Sequence, residues 1–474
     1  MPVANSTPHS SISSSTTSDQ VAVRNMVLLN ALGTPLMLSA ANVALPSIAT
    51  ALNMNALLLS WVPLAFLMAS AMFILIFGRL ADMVGRKRIY LLGSFFVIVA
   101  SIGAACATSG PMLLLFRFLQ GASTAMLYAT QVALVSSVYS ASERGKYIGI
   151  VASTLYFGLT CGPLVGGFLV EWIGWRIVFL IHLPLSFAVL YFGLFKVKGE
   201  WKAPQAGTFD YPGAIFYMLT ILTFGIGVSL FSQWWGYFCL AVGGVLLFAF
   251  IKLEQRSSDP LLDLRLFLTN RVFARACFAS FIMYSATFAN VVLVSLYLQY
   301  IRGIDAALAG VYMMIQPLAM SLFSPVAGKM SDRFGASPLV LSGMGLNVLG
   351  LTLMTQFSHD TSLLYVSVAL FISGVGVSLF SSPNINAMMG AVEPPQYGIA
   401  SGVNSTMRII GQLSSMVIVT LMMSFFLGAA AIAPDNYPLL EKVIVSTFTL
   451  AAGLCILGFI LSLPRRKLVG MARS

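Results

Sequence analysis

Two short segments of the chain carry the same charged pattern. One runs Gly78-Arg79-Leu80-Ala81-Asp82-Met83-Val84-Gly85-Arg86-Lys87-Arg88, the other Gly328-Lys329-Met330-Ser331-Asp332-Arg333-Phe334-Gly335. Glycine lets the backbone turn sharply and lets helices approach closely. An Asp in such a turn caps helix amides or accepts charge-assisted bonds from Arg. A plain basic loop would not need Gly and Asp at matched positions twice, so the pattern suits a conformational latch rather than catalysis. The rest of the reactive inventory is thin. The sequence has no His-Glu-x-x-His pair and no Gly-x-x-x-x-Gly-Lys-Ser/Thr nucleotide loop. Cys106, Cys161, Cys239, Cys277 and Cys455 match no metal spacing and read as small apolar packing residues. An enzyme and a nucleotide-driven pump are both disfavoured, and no cofactor or metal is expected.

The elements that hold these segments must be lipid-soluble. Of 474 residues, 58% are hydrophobic and only 9% charged, and the mean hydropathy is +0.90. A soluble domain carries about 25% charged residues. Fourteen apolar runs of roughly 20 residues are long enough to span a bilayer, the first near 26–48 and the last near 439–463. The net charge of +11 does not form one patch, which argues against nucleic acid as a partner. With the N-terminus placed inside, Lys and Arg concentrate in alternate loops, and only Arg176, Arg302 and Lys442 fall in outer ones. That is the positive-inside bias, and one miscounted helix would scramble it. Both termini are expected to be cytoplasmic, in a multi-pass protein of the plasma (inner) membrane. Residues 1–23, rich in Ser and Thr, lack the basic start and apolar middle of a secretory signal and read as a disordered cytoplasmic tail.

The repeated segments resemble the loop signature of the major facilitator superfamily. Asp332 lies 250 residues after Asp82, whereas the starts of the first and seventh spans are about 185 apart. The surplus of about 65 residues fits two further helices, the pair near 211–231 and 236–253. The chain thus resembles the fourteen-helix drug:proton antiporter branch. The edges Phe209-Asp210-Tyr211-Pro212-Gly213 and Asp259-Pro260-Leu261-Leu262 also look like that branch. The implied fold is an all-α membrane protein with two six-helix bundles and two inserted linker helices. Expected boundaries are 24–200 for the N-terminal bundle, 201–270 for the linker, 271–465 for the C-terminal bundle and 466–474 for a cytoplasmic tail.

Three further stretches resemble family motifs. Span 5 contains Gly158, Gly162, Pro163, Gly166 and Gly167, where small residues make a packing groove and Pro can bend the helix. Span 4 carries Arg117-Phe118-Leu119-Gln120-Gly121; an Arg within hydrocarbon must face protein or water, and the resemblance links Arg117 to coupling. Span 1 contains Asn42-Val43-Ala44-Leu45-Pro46. The family often has Asp five residues before that Asn, but here Met37 stands in its place. No acid falls at mid-membrane, so proton coupling rests on the resemblance. His182 is the one buried candidate titrating near neutral pH.

In this fold the substrate cavity lies between the halves. Candidate lining residues are Asn30, Asn42, Trp61, Gln120, Tyr128, Gln131, Tyr156, Tyr284, Asn290, Gln316, Asn384, Asn386, Arg408 and Gln412. A mostly apolar, aromatic lining with neutral hydrogen-bonding groups suits small amphipathic organic compounds. The resemblance implies a secondary transporter working by alternating access, in drug or metabolite efflux. The rival reading is a carrier of one metabolite such as a vitamin. Lipid, a small-molecule substrate and protons are the expected partners, with a monomer as the working unit.

Overall fold

The computed structural model describes residues 17–202, 207–231, 233–257, 259–262, 264–392 and 397–463. Within them are fourteen helices long and apolar enough to cross a membrane. In chain order they are α1 Ser18–Val43, α2 Ala56–Val84, α3 Arg86–Ala105, α4 Gly110–Val138, α5 Lys146–Trp172, α6 Ile177–Lys196, α7 Tyr211–Ser229, α8 Trp234–Arg256, α9 Arg271–Ile301, α10 Ala306–Phe334, α11 Ala336–Met354, α12 Leu363–Gly390, α13 Gly402–Phe426 and α14 Pro434–Ser462. Helices are the expected solution, because lipid offers nothing to bond free backbone groups. The count matches the fourteen apolar runs, and the protein is an integral, multi-pass membrane protein.

Several helix starts are capped by the residue types that favour it. Asn55 accepts from the Leu58 amide, Asp210 from Gly213, Asn270 from Phe273, Asp305 from Leu308 and Ser362 from Tyr365. Both repeated segments close on a glycine with positive φ, +137° at Gly85 and +82° at Gly335. That region is open to Gly and strained for other residues. The α2–α3 and α10–α11 turns therefore stop one helix and start the next within a single residue.

In the N-terminal half α1 packs on α5 and α6, and α4 on α2 and α3. In the C-terminal half α9 packs on α13 and α14, α12 on α10 and α11, and α11 on α14. The halves meet through α2 with α13 and through α5 with α10. The inserted pair α7–α8 is a hairpin whose α7 leans on α2 and α13. Tyr217 Oη donates to the Ala71 carbonyl at 2.7 Å, and Ser424 Oγ to that of Ser229 at 3.4 Å. Its partner α8 turns Trp235, Tyr237, Phe238 and Phe248 outward, as lipid contact allows.

The first helix begins earlier than expected. Residues 17–23 continue α1 rather than forming part of a tail. The cause is tertiary docking. Asp19 accepts from the Lys198 amide at 2.9 Å, Tyr139 Oη donates to the Gln20 carbonyl, and Ala22 and Val23 are buried. The expected tails at 1–16 and 466–474 lie outside the described residues.

Candidate functional site

Because the helices alternate in direction, both latch turns and the start of α1 share one face, here termed the latch face. At the other, far face, the halves are joined. Ser295 Oγ donates to the Asn42 carbonyl (2.8 Å), Gln299 Nε2 to that of Val43 (2.9 Å), and the Ala56 amide to that of Ala430 (3.0 Å).

The span 5 glycines divide between two neighbours. A Cβ at Gly158 would stand 2.5 Å from the Leu32 carbonyl oxygen, one at Gly162 2.6 Å from Ser39 Cβ, and one at Gly166 2.6 Å from Ala40 Cα. All three partners lie on α1. Gly167 instead abuts the Ala306 backbone, and Gly310 abuts the Pro163 carbonyl. One stripe of α5 therefore holds its own half together while the other touches the opposite half. This is the close packing expected of small residues.

Between the halves lies a central cavity of ≈ 1210 Å³ of atom-free space, including its open mouth. Asn42, Tyr128, Tyr156, Tyr284, Asn290, Gln316, Arg408 and Gln412 line it. Phe66, Phe288, Leu155 and Met313 complete much of the apolar wall. A second cavity reaches the latch face between Gly78, Asp82, Arg86, Leu261, Val403 and Thr406. Tyr128 lines both cavities.

Six candidates lie outside the central cavity. Asn30 accepts from Thr34 Oγ1 on its own helix at 3.0 Å. Gln120 is wholly buried, donating to Ser101 Oγ and accepting from Arg117 Nη1, each at 2.9 Å. Asn384 pins α12 to α9 through the Ala276 carbonyl (2.9 Å) and Ser280 Oγ (2.8 Å). Asn386 is exposed, and Trp61 and Gln131 do not reach the cavity. Each sits on a different rotational face of its helix, and packing chooses which face points inward.

Arg117 does not snorkel. It is fully buried, donates Nε to the Val62 carbonyl at 3.1 Å, and stacks 4.7 Å from the Phe66 ring. Met37, at the position where the family often has Asp, accepts from Gln120 Nε2 at 3.5 Å. A thioether is a weak acceptor where a carboxylate would be a strong one. His182 packs against Gly33, with Nδ1 2.9 Å from Ser186 Oγ and Nε2 3.4 Å from Thr34 Oγ1. It does not line the cavity.

The two latches differ. In the first, Arg86 pairs with Asp82 (Nη2 to Oδ1, 2.8 Å) and donates to Ser137 Oγ on α4 at 2.8 Å. The Arg86 amide donates to the Trp201 carbonyl and the Lys87 amide to Glu200 Oε1. Arg79 pairs with Asp259 of the linker at 3.1 Å. In the second, Lys329, Asp332, Arg333 and Gly335 are exposed, and among the described residues Asp332 makes no ion pair.

Sequence reasoning missed Ser381, Ser373 and Asn347. Ser381 Oγ lies 3.0 Å from Tyr156 Oη of one half and 3.5 Å from Tyr284 Oη of the other. Ser373 donates to Asn347 Oδ1 at 2.8 Å and accepts from Gln316 and Asn290. Serines carry no warning, since most in these spans bond their own helix. Asn347, an amide within an apolar run, was a visible signal.

Known proteins with related sequences are membrane transporters. A riboflavin transporter, RibZ of Clostridioides difficile (strain 630), is 27% identical over 89% of this chain and 92% of its own. The multidrug resistance protein Stp of Mycobacterium tuberculosis (strain CDC 1551 / Oshkosh) is 32% identical over 82% of this chain and 73% of its own. Among solved structures, a POT peptide transporter in complex with sulfate superposes with a TM-score of 0.68 at 14% identity, covering 94% of each chain. The human organic anion transporter MFSD10 (TETRAN) gives 0.63 at 16%, covering 94% of this chain and 99% of that one. At such identities these two report the fold alone. The sequence model of the Major Facilitator Superfamily matches residues 27–256 and 276–470. With that match over most of its length and fourteen membrane-length helices among the described residues, this chain belongs to the Major Facilitator Superfamily.

Proposed function

We propose that the protein moves small amphipathic organic compounds across the cell membrane by alternating access, with the latch face cytoplasmic. The observation that carries this reading is the cavity lined from both halves. Its route meets the latch-face cavity at Tyr128, while backbone and side-chain bonds join the halves at the far face. Such a geometry accepts a solute from one side only. Transport then requires the far-face contacts to open while the latch face closes. In this reading Asp82 and Arg86 hold the α2–α3–α4 latch, and the glycines of α5 form the surface on which the halves rock.

Efflux of drug-like compounds is the preferred direction, since the multidrug resistance protein Stp is 32% identical over 82% of this chain. A carrier of one metabolite is the second reading, favoured by the similarity to a riboflavin transporter over nearly the whole chain. Proton coupling is carried over from the family resemblance, because among the described residues no carboxylate lines the cavity. Uptake into proteoliposomes under an imposed pH gradient, across a small panel of compounds, tests all three points. Movement of several unrelated amphipathic solutes supports efflux. Movement of one supports the metabolite carrier. Accumulation indifferent to the gradient removes coupling, and no transport of any solute removes the proposal.

A further inference from the structure

Among the described residues the central cavity has one charged lining residue, Arg408 on α13. Among the described residues its guanidinium has no hydrogen-bond acceptor and no ion-pair partner, and its Nε is buried and unsatisfied. Its guanidinium carbon stands 5.6 Å from the centroid of the Tyr128 ring. Asp82, which lines the latch-face cavity, is already engaged by Arg86. Arg408 is half-buried, and a cation in a largely apolar cavity without a counterion is a ready seat for an anion. Around it stand Phe66, Tyr128, Tyr156, Tyr284 and Phe288, whose ring faces and edges suit a flat aromatic solute.

We propose that this cavity selects planar aromatic organic anions, with the carboxylate or sulfonate seated on Arg408 and the ring system between the aromatic walls. Guanidinium meets such groups through two parallel N–H donors, which fixes orientation as well as charge. A cationic solute of the same shape meets like charge in an apolar setting and is rejected. The inference rests on the transport reading above and narrows it to a substrate class.

The test uses three solutes of one shape: 2-naphthoate, 2-naphthamide and 2-naphthylmethylamine. Binding to the purified full chain and uptake into proteoliposomes are measured for each. Naphthoate should bind at least about tenfold tighter than the amide, the size of one charge-assisted contact, with the amine weakest. In Arg408→Gln, naphthoate should lose its advantage over the amide, and a monodisperse gel-filtration profile with wild-type thermal unfolding shows that the variant is folded. Arg408→Lys should keep part of the preference. Equal binding of acid and amide, tighter binding of the amine, or a preference that survives Arg408→Gln overturns the inference. If amide or amine is transported in place of naphthoate, the transport reading stands and the anion assignment alone fails. If wild-type protein neither binds nor moves any of the three, both fail.

Discussion

At the residue scale, identity in the sequence and role in the structure separate most clearly at His182 and Arg117. His182 is enclosed by Gly33, Thr34 and Ser186, away from any solute path. His182→Ala should therefore leave the pH dependence of transport unchanged. It should cost about 1–3 kcal/mol of stability through the Ser186 hydroxyl left unpartnered, read as a lower unfolding temperature in detergent. A shifted pH profile would return His182 to the coupling path. Asp82 behaves differently. Its pair with Arg86 is partly exposed, with side chains 21% and 35% accessible for Arg86 and Asp82, and such pairs contribute about 0–1 kcal/mol. Asp82→Asn should barely move stability but lower turnover about tenfold, as a bias near 1.4 kcal/mol between states would. Normal turnover in proteoliposomes would remove the latch role. Both aspartates were legible as a repeat. That the first turn, through Arg86 and the Lys87 amide, binds α4 and the chain at Glu200 and Trp201 while Asp332 stands in the open was not, because those partners are remote in sequence.

At the element scale, α5 is the helix whose sequence and packing agree best. Gly162→Leu places a branched side chain where even a Cβ would stand 2.6 Å from Ser39 Cβ and 2.9 Å from the Leu36 carbonyl. Overpacking of this kind costs about 1–3 kcal/mol, so the variant should insert yet lose transport, with α1 pushed from α5. Unimpaired uptake would show that α1 and α5 need not stay in contact. The linker ahead of the inserted hairpin is held by the Asp259 carboxylate. It accepts from the Thr208 amide at 3.0 Å and pairs with Arg79 at 3.1 Å. The Thr208 amide first, and Arg79 after it, hold this carboxyl below its usual range. A depressed folded value means that the stabilisation is present above the unfolded value of about 3.9. It is lost as pH falls through the lower folded value. Asp259→Asn should accordingly make the segment near Thr208 more sensitive to protease at neutral pH, whereas the wild-type clamp persists until pH drops below the ordinary carboxylate range. Equal cleavage of the two at pH 7 would dismiss the clamp.

At the scale of the whole molecule, the paired halves set a topological prediction. Cysteines introduced at Arg88 and Lys329, both exposed, should react with an impermeant maleimide from the same side of the membrane, the cytoplasmic one. Labelling from opposite sides would break the alternation of helices between them. By itself the sequence determined the medium, the helix count, the repeat and the inserted pair, since each follows from a local property: a run of apolar residues, a charge bias between loops, a spaced Gly and Asp. Tertiary structure alone decided which polar residues meet the cavity. Asn290 and Asn384 look alike in an apolar run, yet one lines the cavity while the other ties α12 to α9. Helix rotation about its own axis is set by packing against neighbours hundreds of residues away, and no local pattern encodes it. The same packing left Arg408 as the one charge lining that cavity among the described residues, and docked residues 17–23 as the first turns of α1.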